Sequence, residues 1–161
     1  MKIYHGSIEI VVNPEIRKTN RTLDFGVGFY DTTSHEQAVL WVTRKIKEKN
    51  LNRGFVNLYE FDEKSLSGLK CLVFDFPTEK WVDFVMQNRM NSDFEHDYDI
   101  VYGPVANDKV YASFALYEGG FLSKQMLISE LKTYKLVDQY LFHTDRSLQI
   151  LKFIEAKEVL L

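Results

Sequence analysis

The apolar residues of this chain switch between two spacings, and the order of the switches limits the folds open to it. Lys2 to His5 reads as a short strand entering a turn at Gly6-Ser7. Residues 13–25 are polar and irregular and read as a loop. Phe29 and Tyr30 suit a strand flanked by glycines. A helix follows, opened by Thr33 with Glu36 or by Ser34 with Gln37, with Ala38, Trp41, Val42 and Ile46 at helical spacing. Strands are predicted at 52–62 and 69–76. Pro77-Thr78 starts a helix with Trp81, Phe84, Val85 and Asn88 on one stripe. Tyr98 to Tyr102 is a short strand stopped by Gly103-Pro104, and a loop carries Asn107 and Asp108. Ser123 opens a helix with Met126, Leu127, Leu131 and Tyr134. Leu136 to His143 is a strand, and Thr144 caps a final helix through Leu148 and Leu151.

This order has no strict βαβ rhythm. No GxGxxG opens a helix after a first strand, which argues against a Rossmann domain, and no GxxxxGKS/T exists for a P-loop. The pattern predicts an α+β fold with a split or sandwiched sheet. With 161 residues and neither repeat nor linker, residues 1–161 read as a single domain.

Charge and cysteine usage narrow the function classes. The net charge is -3 with no basic tail, so non-specific affinity for DNA or RNA is expected to be weak. Arg44, Lys45, Lys47 and Lys49 read as the solvated face of a helix. The lone Cys71 excludes an internal disulfide and a cysteine zinc site, and its apolar surroundings predict a buried thiol. The start MKIYHGS carries no signal-length apolar stretch, and no segment reaches the roughly 18 apolar residues of a spanning helix. A cytoplasmic protein without membrane contact is the simplest expectation, with secretion by a dedicated machine left open.

Several residues carry more than one reading. His5, at a strand end beside Gly6, can offer a ring nitrogen to a ligand hydroxyl, or it is a structural histidine beside a turn. Gly6 lets a ligand reach the backbone. Gly26-Val27-Gly28-Phe29-Tyr30 can shape a pocket wall with Tyr30 stacking on a flat cationic ring, or it is a turn feeding a core strand. His35, His96 and His143 lack metal-ligand spacing, so no metal site is expected. Asp93, Glu95, Asp97 and Asp99 read as a solvated acidic loop. Ser7 and Ser113 lack a GxSxG context. Trp41 and Trp81 read as core.

YHGS, then GxGFYxT, then the helix with Ala38 and Trp41, resembles the front half of an ADP-ribosyltransferase domain. More narrowly, it resembles a bacterial domain of unknown function in that superfamily. The resemblance continues in Tyr98 to Val110 and in Asp138 to Thr144. It implies an ADP-ribosyltransferase-like split β-sheet core with flanking helices, and NAD as co-substrate without a metal. His5 would bind a ribose hydroxyl, and Gly6 would hold the nicotinamide carboxamide through its backbone. Tyr30 would stack on nicotinamide, with Ser7 and Gly28 lining the site. Gln139 stands where the superfamily usually has a catalytic glutamate. It can bond a ribose hydroxyl, but it cannot stabilise positive charge as a carboxylate does or act as a base. Asp138, Asp108 and Glu118 are other sources of a carboxylate. The function implied is mono-ADP-ribosyl transfer to a protein or nucleic-acid acceptor, as in toxins or effectors paired with a neutralising antitoxin. The alternatives are a non-catalytic NAD-, nucleotide- or protein-binding module, and an interaction protein with an exposed aromatic surface. The loops at 13–25 and 91–97 carry no signature that names an acceptor.

Overall fold

The computed structural model describes residues 1–17, 23–105, 108–134 and 136–161, with the backbone alone of 108, 109 and 111. In chain order it runs through strand β1 (Lys2–Ser7), β2 (Phe29–Asp31), helix α1 (His35–Lys49) and β3 (Arg53–Glu60). A 3-10 turn (Glu63–Gly68), β4 (Cys71–Val73), α2 (Glu79–Met90), β5 (Ile100–Pro104) and α3 (Asp108–Glu118) follow. The chain closes with α4 (Lys124–Leu131), β6 (Asp138–Phe142), α5 (Asp145–Leu148) and β7 (Lys152–Leu160). The fold is mixed α+β, with two sheets ordered β1-β3-β7 and β2-β6-β5-β4.

Every pair is antiparallel except β4 with β5. The sheets meet at a bridge between Tyr4 and Thr32, where Tyr4 donates to the Thr32 carbonyl at 2.8 Å and Thr32 donates back at 3.0 Å. Three apolar clusters fill the molecule. Ala38, Val42, Ile46 and Val56 pack α1 onto the first sheet. Ile3, Phe29, Tyr59, Phe61, Tyr140 and Phe142 link the two sheets. Trp81, Val85, Val110, Phe114, Leu127 and Leu131 bring α2, α3 and α4 together over Val101 and Leu141.

Capping chemistry sets the helix starts. Ser34 Oγ accepts from the Gln37 amide, so Ser34 rather than Thr33 caps α1. Thr78 and Ser123 cap α2 and α4, as their sequence positions predict. Thr144 forms a reciprocal capping box with Ser147, yet α5 is a single turn that stops at Leu148, short of the predicted Leu151.

Two elements escape the sequence reading. Helix α3 shows little polar contrast around Val110 and Phe114. In β7 the half-buried residues are Phe153, Ala156 and Val159: the register with β3 shifts between Leu58 and Tyr59, which sets Phe153 and Ala156 three apart, and Val159 lies on the opposite face from Ala156, against the α1 cluster. A bulge of this kind breaks the two-residue alternation that marks a strand.

Two expected core residues lie at the surface. Cys71 is exposed, because β4 is an edge strand in which only Leu72 turns partly inward. Trp41 is 40% exposed, since the buried stripe of α1 runs through Ala38, Val42 and Ile46. Trp81 is fully buried as expected. Asn107 and the side chain of Asp108 lie outside the described residues, as does the 18–22 part of the predicted loop. Among the described residues, no helix is long and apolar enough to cross a membrane.

Candidate functional site

The site forms where β1 and β2 part beyond the Tyr4–Thr32 bridge. Tyr4 turns both peptide groups toward β2, so its pairing with Leu58 on β3 is of the non-hydrogen-bonded kind. Gly6, two residues on and paired with Val56, turns its N–H and C=O the same way. Continuing the Tyr4–Thr32 register sets Gly6 opposite Tyr30. Among the described residues no backbone hydrogen bond crosses from Gly6 to β2. A donor and an acceptor therefore open side by side into the gap.

Glycine at position 6 also lets α1 approach. A Cβ there would stand 2.7 Å from the Ala38 carbonyl and 3.1 Å from Trp41 Cδ1. Trp41 thus places a partly exposed ring beside Gly6, with Lys45 Nζ 5.0 Å and the Arg44 guanidinium 6.0 Å from the ring centre. Sequence reasoning placed Trp41 in the core. At i+3 from Ala38 it sits on the flank of the stripe of Ala38, Val42 and Ile46, and helical spacing alone does not separate a flank from the stripe.

His5 is tied to β2. Its Nδ1 donates to the Tyr30 carbonyl at 2.8 Å, and its ring stacks on Phe29 with centroids 4.1 Å apart. Asp31 Oδ1 lies 3.4 Å from the same nitrogen. The Asp31 carboxyl is wholly buried; burial pushes its pKa up, and the hydrogen bond and charge of His5 oppose that shift. Asp31 did not stand out in the sequence, where it reads as one more polar residue after a strand.

Tyr30 is held at both ends. Its hydroxyl donates to the Gly26 carbonyl at 2.6 Å and accepts from the Phe25 amide at 3.2 Å. Tyr30 pairs with Leu141, and Gln139, two residues along β6, lies on the same face. That spacing is about 7 Å. Gln139 is 8% exposed, and its Nε2 has no hydrogen-bond partner among the described residues. Tyr30 and Gln139 thus share the face of the second sheet that carries Leu141, while the His5 ring lies with Phe29 and Asp31 on the opposite face, and Gly6 stands at the gap between β1 and β2.

The other glycine and serine serve the frame. A Cβ on Gly28 would stand 2.3 Å from Leu141 Cδ1 and 2.5 Å from the Phe142 carbonyl, so this glycine lets the loop close on β6. Ser7 Oγ accepts from the Glu9 amide in the turn after β1.

The loop before β2 is fastened residue by residue. Arg89 pairs with Asp24 at 3.3 Å, His96 Nε2 donates to the Phe25 carbonyl at 2.8 Å, and His143 Nδ1 donates to the Val27 carbonyl at 2.5 Å. Burial lowers the His96 pKa. The predicted solvated acidic loop is thus corrected in part: Asp97 is exposed and pairs with Lys70, but His96 is half-buried and Asp99 fully buried. Asp99 accepts from Arg146, from the Thr144 hydroxyl at 2.7 Å and from the Lys70 amide at 2.7 Å.

The alternative carboxylates are engaged elsewhere. Asp138 accepts from Thr32 and Thr33, and Glu118 pairs with Arg89 at 3.5 Å. Among the described residues no three His, Cys, Asp or Glu side chains are grouped to hold a metal ion.

Residues 1–153 match the model of a family described as a protein of unknown function, DUF3990. The chain belongs to the DUF3990 family. No curated protein matches it. In this DUF3990 protein the matched stretch takes in every residue of the site, from His5 to Gln139, and stops just inside β7.

Proposed function

We propose that this DUF3990 protein binds NAD in the gap between β1 and β2 and transfers its ADP-ribose to a protein or nucleic-acid acceptor. The observation that carries the reading is the open peptide pair of Gly6 facing Tyr30, beside the exposed Trp41 ring. A carboxamide offers one acceptor and two donors, the complement of one N–H and one C=O. An aromatic wall suits the cationic nicotinamide ring. The split between the sheets is also what an ADP-ribosyltransferase-like core requires.

Cleaving the nicotinamide–ribose bond builds positive charge on the ribose. Gln139 supplies a hydrogen bond that positions the ribose, with His5 beside the gap. The buried Gln139 Nε2, without a partner among the described residues, is in keeping with a group that takes a ligand, since an orphaned polar atom costs about 1–3 kcal/mol. The resemblance to toxins and effectors makes a neutralising antitoxin a candidate partner.

Gln139 also favours a second reading, a module that holds NAD or another nucleotide without turnover. Titration calorimetry with NAD, followed by transfer of labelled ADP-ribose, separates the two. Binding that is lost in the His5→Ala, Tyr30→Ala double variant supports the site. Turnover that rises in Gln139→Glu supports an enzyme scaffold. Unchanged binding in the double variant sinks the site.

A further inference from the structure

A transferase of this kind needs a group to accept the proton of the incoming nucleophile, and Gln139 cannot do so. We infer that His5 and Asp31 form a proton-accepting dyad: His5 Nε2 takes the proton of an O–H nucleophile, and Asp31 positions the ring and steadies its charge. This inference rests on the NAD site proposed above.

The geometry assigns the tautomer. Nδ1 points at the Tyr30 carbonyl, which can only accept, so Nδ1 carries the hydrogen. The lone pair of a neutral ring is then on Nε2, the nitrogen turned away from β2. Nε2 makes no hydrogen bond among the described residues, and the His5 side chain is 20% exposed. The Phe29 stack fixes the plane of the ring. Asp31 Oδ1 stands 3.4 Å from Nδ1, and among the described residues neither carboxylate oxygen has a closer hydrogen-bond partner. A buried carboxylate in that state is compensated when the neighbouring imidazole becomes charged.

Few other charges face the pair. Asn57 of β3 gives a neutral amide to the His5 carbonyl, and Tyr59 of β3 faces Asp31. Burial and Asp31 push the Tyr59 phenol up, so it stays neutral, and its hydroxyl donates to the Val11 carbonyl. From β2, Tyr30 has its hydroxyl engaged by Gly26. From α1, His35 lies edge-on to Tyr4.

The step balances as follows. The nucleophile's oxygen forms a bond to the anomeric carbon, and the bond from that carbon to the nicotinamide nitrogen breaks. That electron pair neutralises the pyridinium ring, and the nucleophile's proton passes to His5 Nε2 and then to solvent. Asp31 touches no reacting atom; it acts through His5.

The test is nicotinamide release from NAD with water as nucleophile, followed against pH in wild type, Asp31→Asn and His5→Gln. Wild-type kcat should rise with pH through one ionisation. Asp31→Asn keeps the size of the side chain but removes the charge that steadies the protonated ring. Its plateau should fall about tenfold with KM for NAD unchanged. His5→Gln keeps a hydrogen-bonding amide without a base, so kcat should fall about a hundredfold and lose the ionisation.

An Asp31→Asn profile identical to wild type, in a protein that cleaves NAD, overturns the dyad and leaves the NAD site standing. Wild-type protein that does not bind NAD overturns both. If Asp31→Asn does not fold, His5→Gln decides alone: a retained ionisation with normal kcat overturns the dyad.

Discussion

Asp138 grips Thr33 with both oxygens: Oδ1 accepts from the Thr33 amide at 2.9 Å and Oδ2 from its hydroxyl at 2.5 Å. The Thr32 hydroxyl adds a third bond at 2.9 Å. The contact ties the start of β6 to the chain just past β2, beside the bridge that joins the two sheets. Asp138→Ala would remove the acceptor of four donors, the Tyr102 hydroxyl at 3.4 Å included, at a cost of about 1 kcal/mol because the Thr33 bonds face water. Urea unfolding should show a lower midpoint with an unchanged slope. An unchanged midpoint would mean that water satisfies these groups equally well.

The network around Asp99 makes an acid-sensitive contribution. The Arg146 guanidinium, with the Lys70 amide and the Thr144 hydroxyl, holds the Asp99 carboxyl far below the usual carboxylate range, against the effect of burial. A group whose folded pKa is depressed stabilises the fold above its unfolded pKa of about 3.9 and loses that contribution as pH falls toward the folded value. Asp99→Asn should therefore lower Tm at pH 7, and the gap to wild type should narrow below about pH 4. Thermal melts at a series of pH values check this, and a gap that stays constant to pH 2 would refute it.

Gly28 and Gly6 should respond differently to alanine. At Gly28 the added methyl meets the Phe142 carbonyl at 2.5 Å, a backbone atom held in β6, as well as the Leu141 side chain at 2.3 Å. Gly28→Ala is expected to cost about 3 kcal/mol. At Gly6 the methyl meets the Ala38 carbonyl at 2.7 Å and would push α1 and Trp41 outward. Gly6→Ala should weaken NAD binding by more than its stability loss explains. Calorimetry at a temperature where both variants are folded separates the two effects.

The two tryptophans give a paired test of core against site. Trp81 is fully buried against Phe114, so Trp81→Ala should destabilise by about 3–5 kcal/mol. Trp41 is partly exposed, with two cations over its ring, so Trp41→Ala should cost only about 1 kcal/mol. If Trp41 walls the nicotinamide site, that same change should weaken NAD affinity about tenfold or more, since stacking contributes about 1 kcal/mol beyond burial. Equal NAD affinity in Trp41→Ala would remove Trp41 from the site.

The sequence by itself determined the local pieces: the α+β class, the caps at Thr78, Ser123 and Thr144, the buried stripe of Ala38, Val42 and Ile46, and the nearness of His5 to Gly6. These depend on residues a few positions apart, where backbone geometry and capping chemistry act directly. Only the tertiary structure decided which side of α1 Trp41 faces, why Cys71 is exposed on an edge strand, and how a bulge opposite Leu58 disguises β7. It also joined His5 to Asp31, and Thr33 to Asp138 across 105 residues. Pairings across such separations follow from sheet register and desolvation, which depend on the whole packed chain and leave no local periodicity to read.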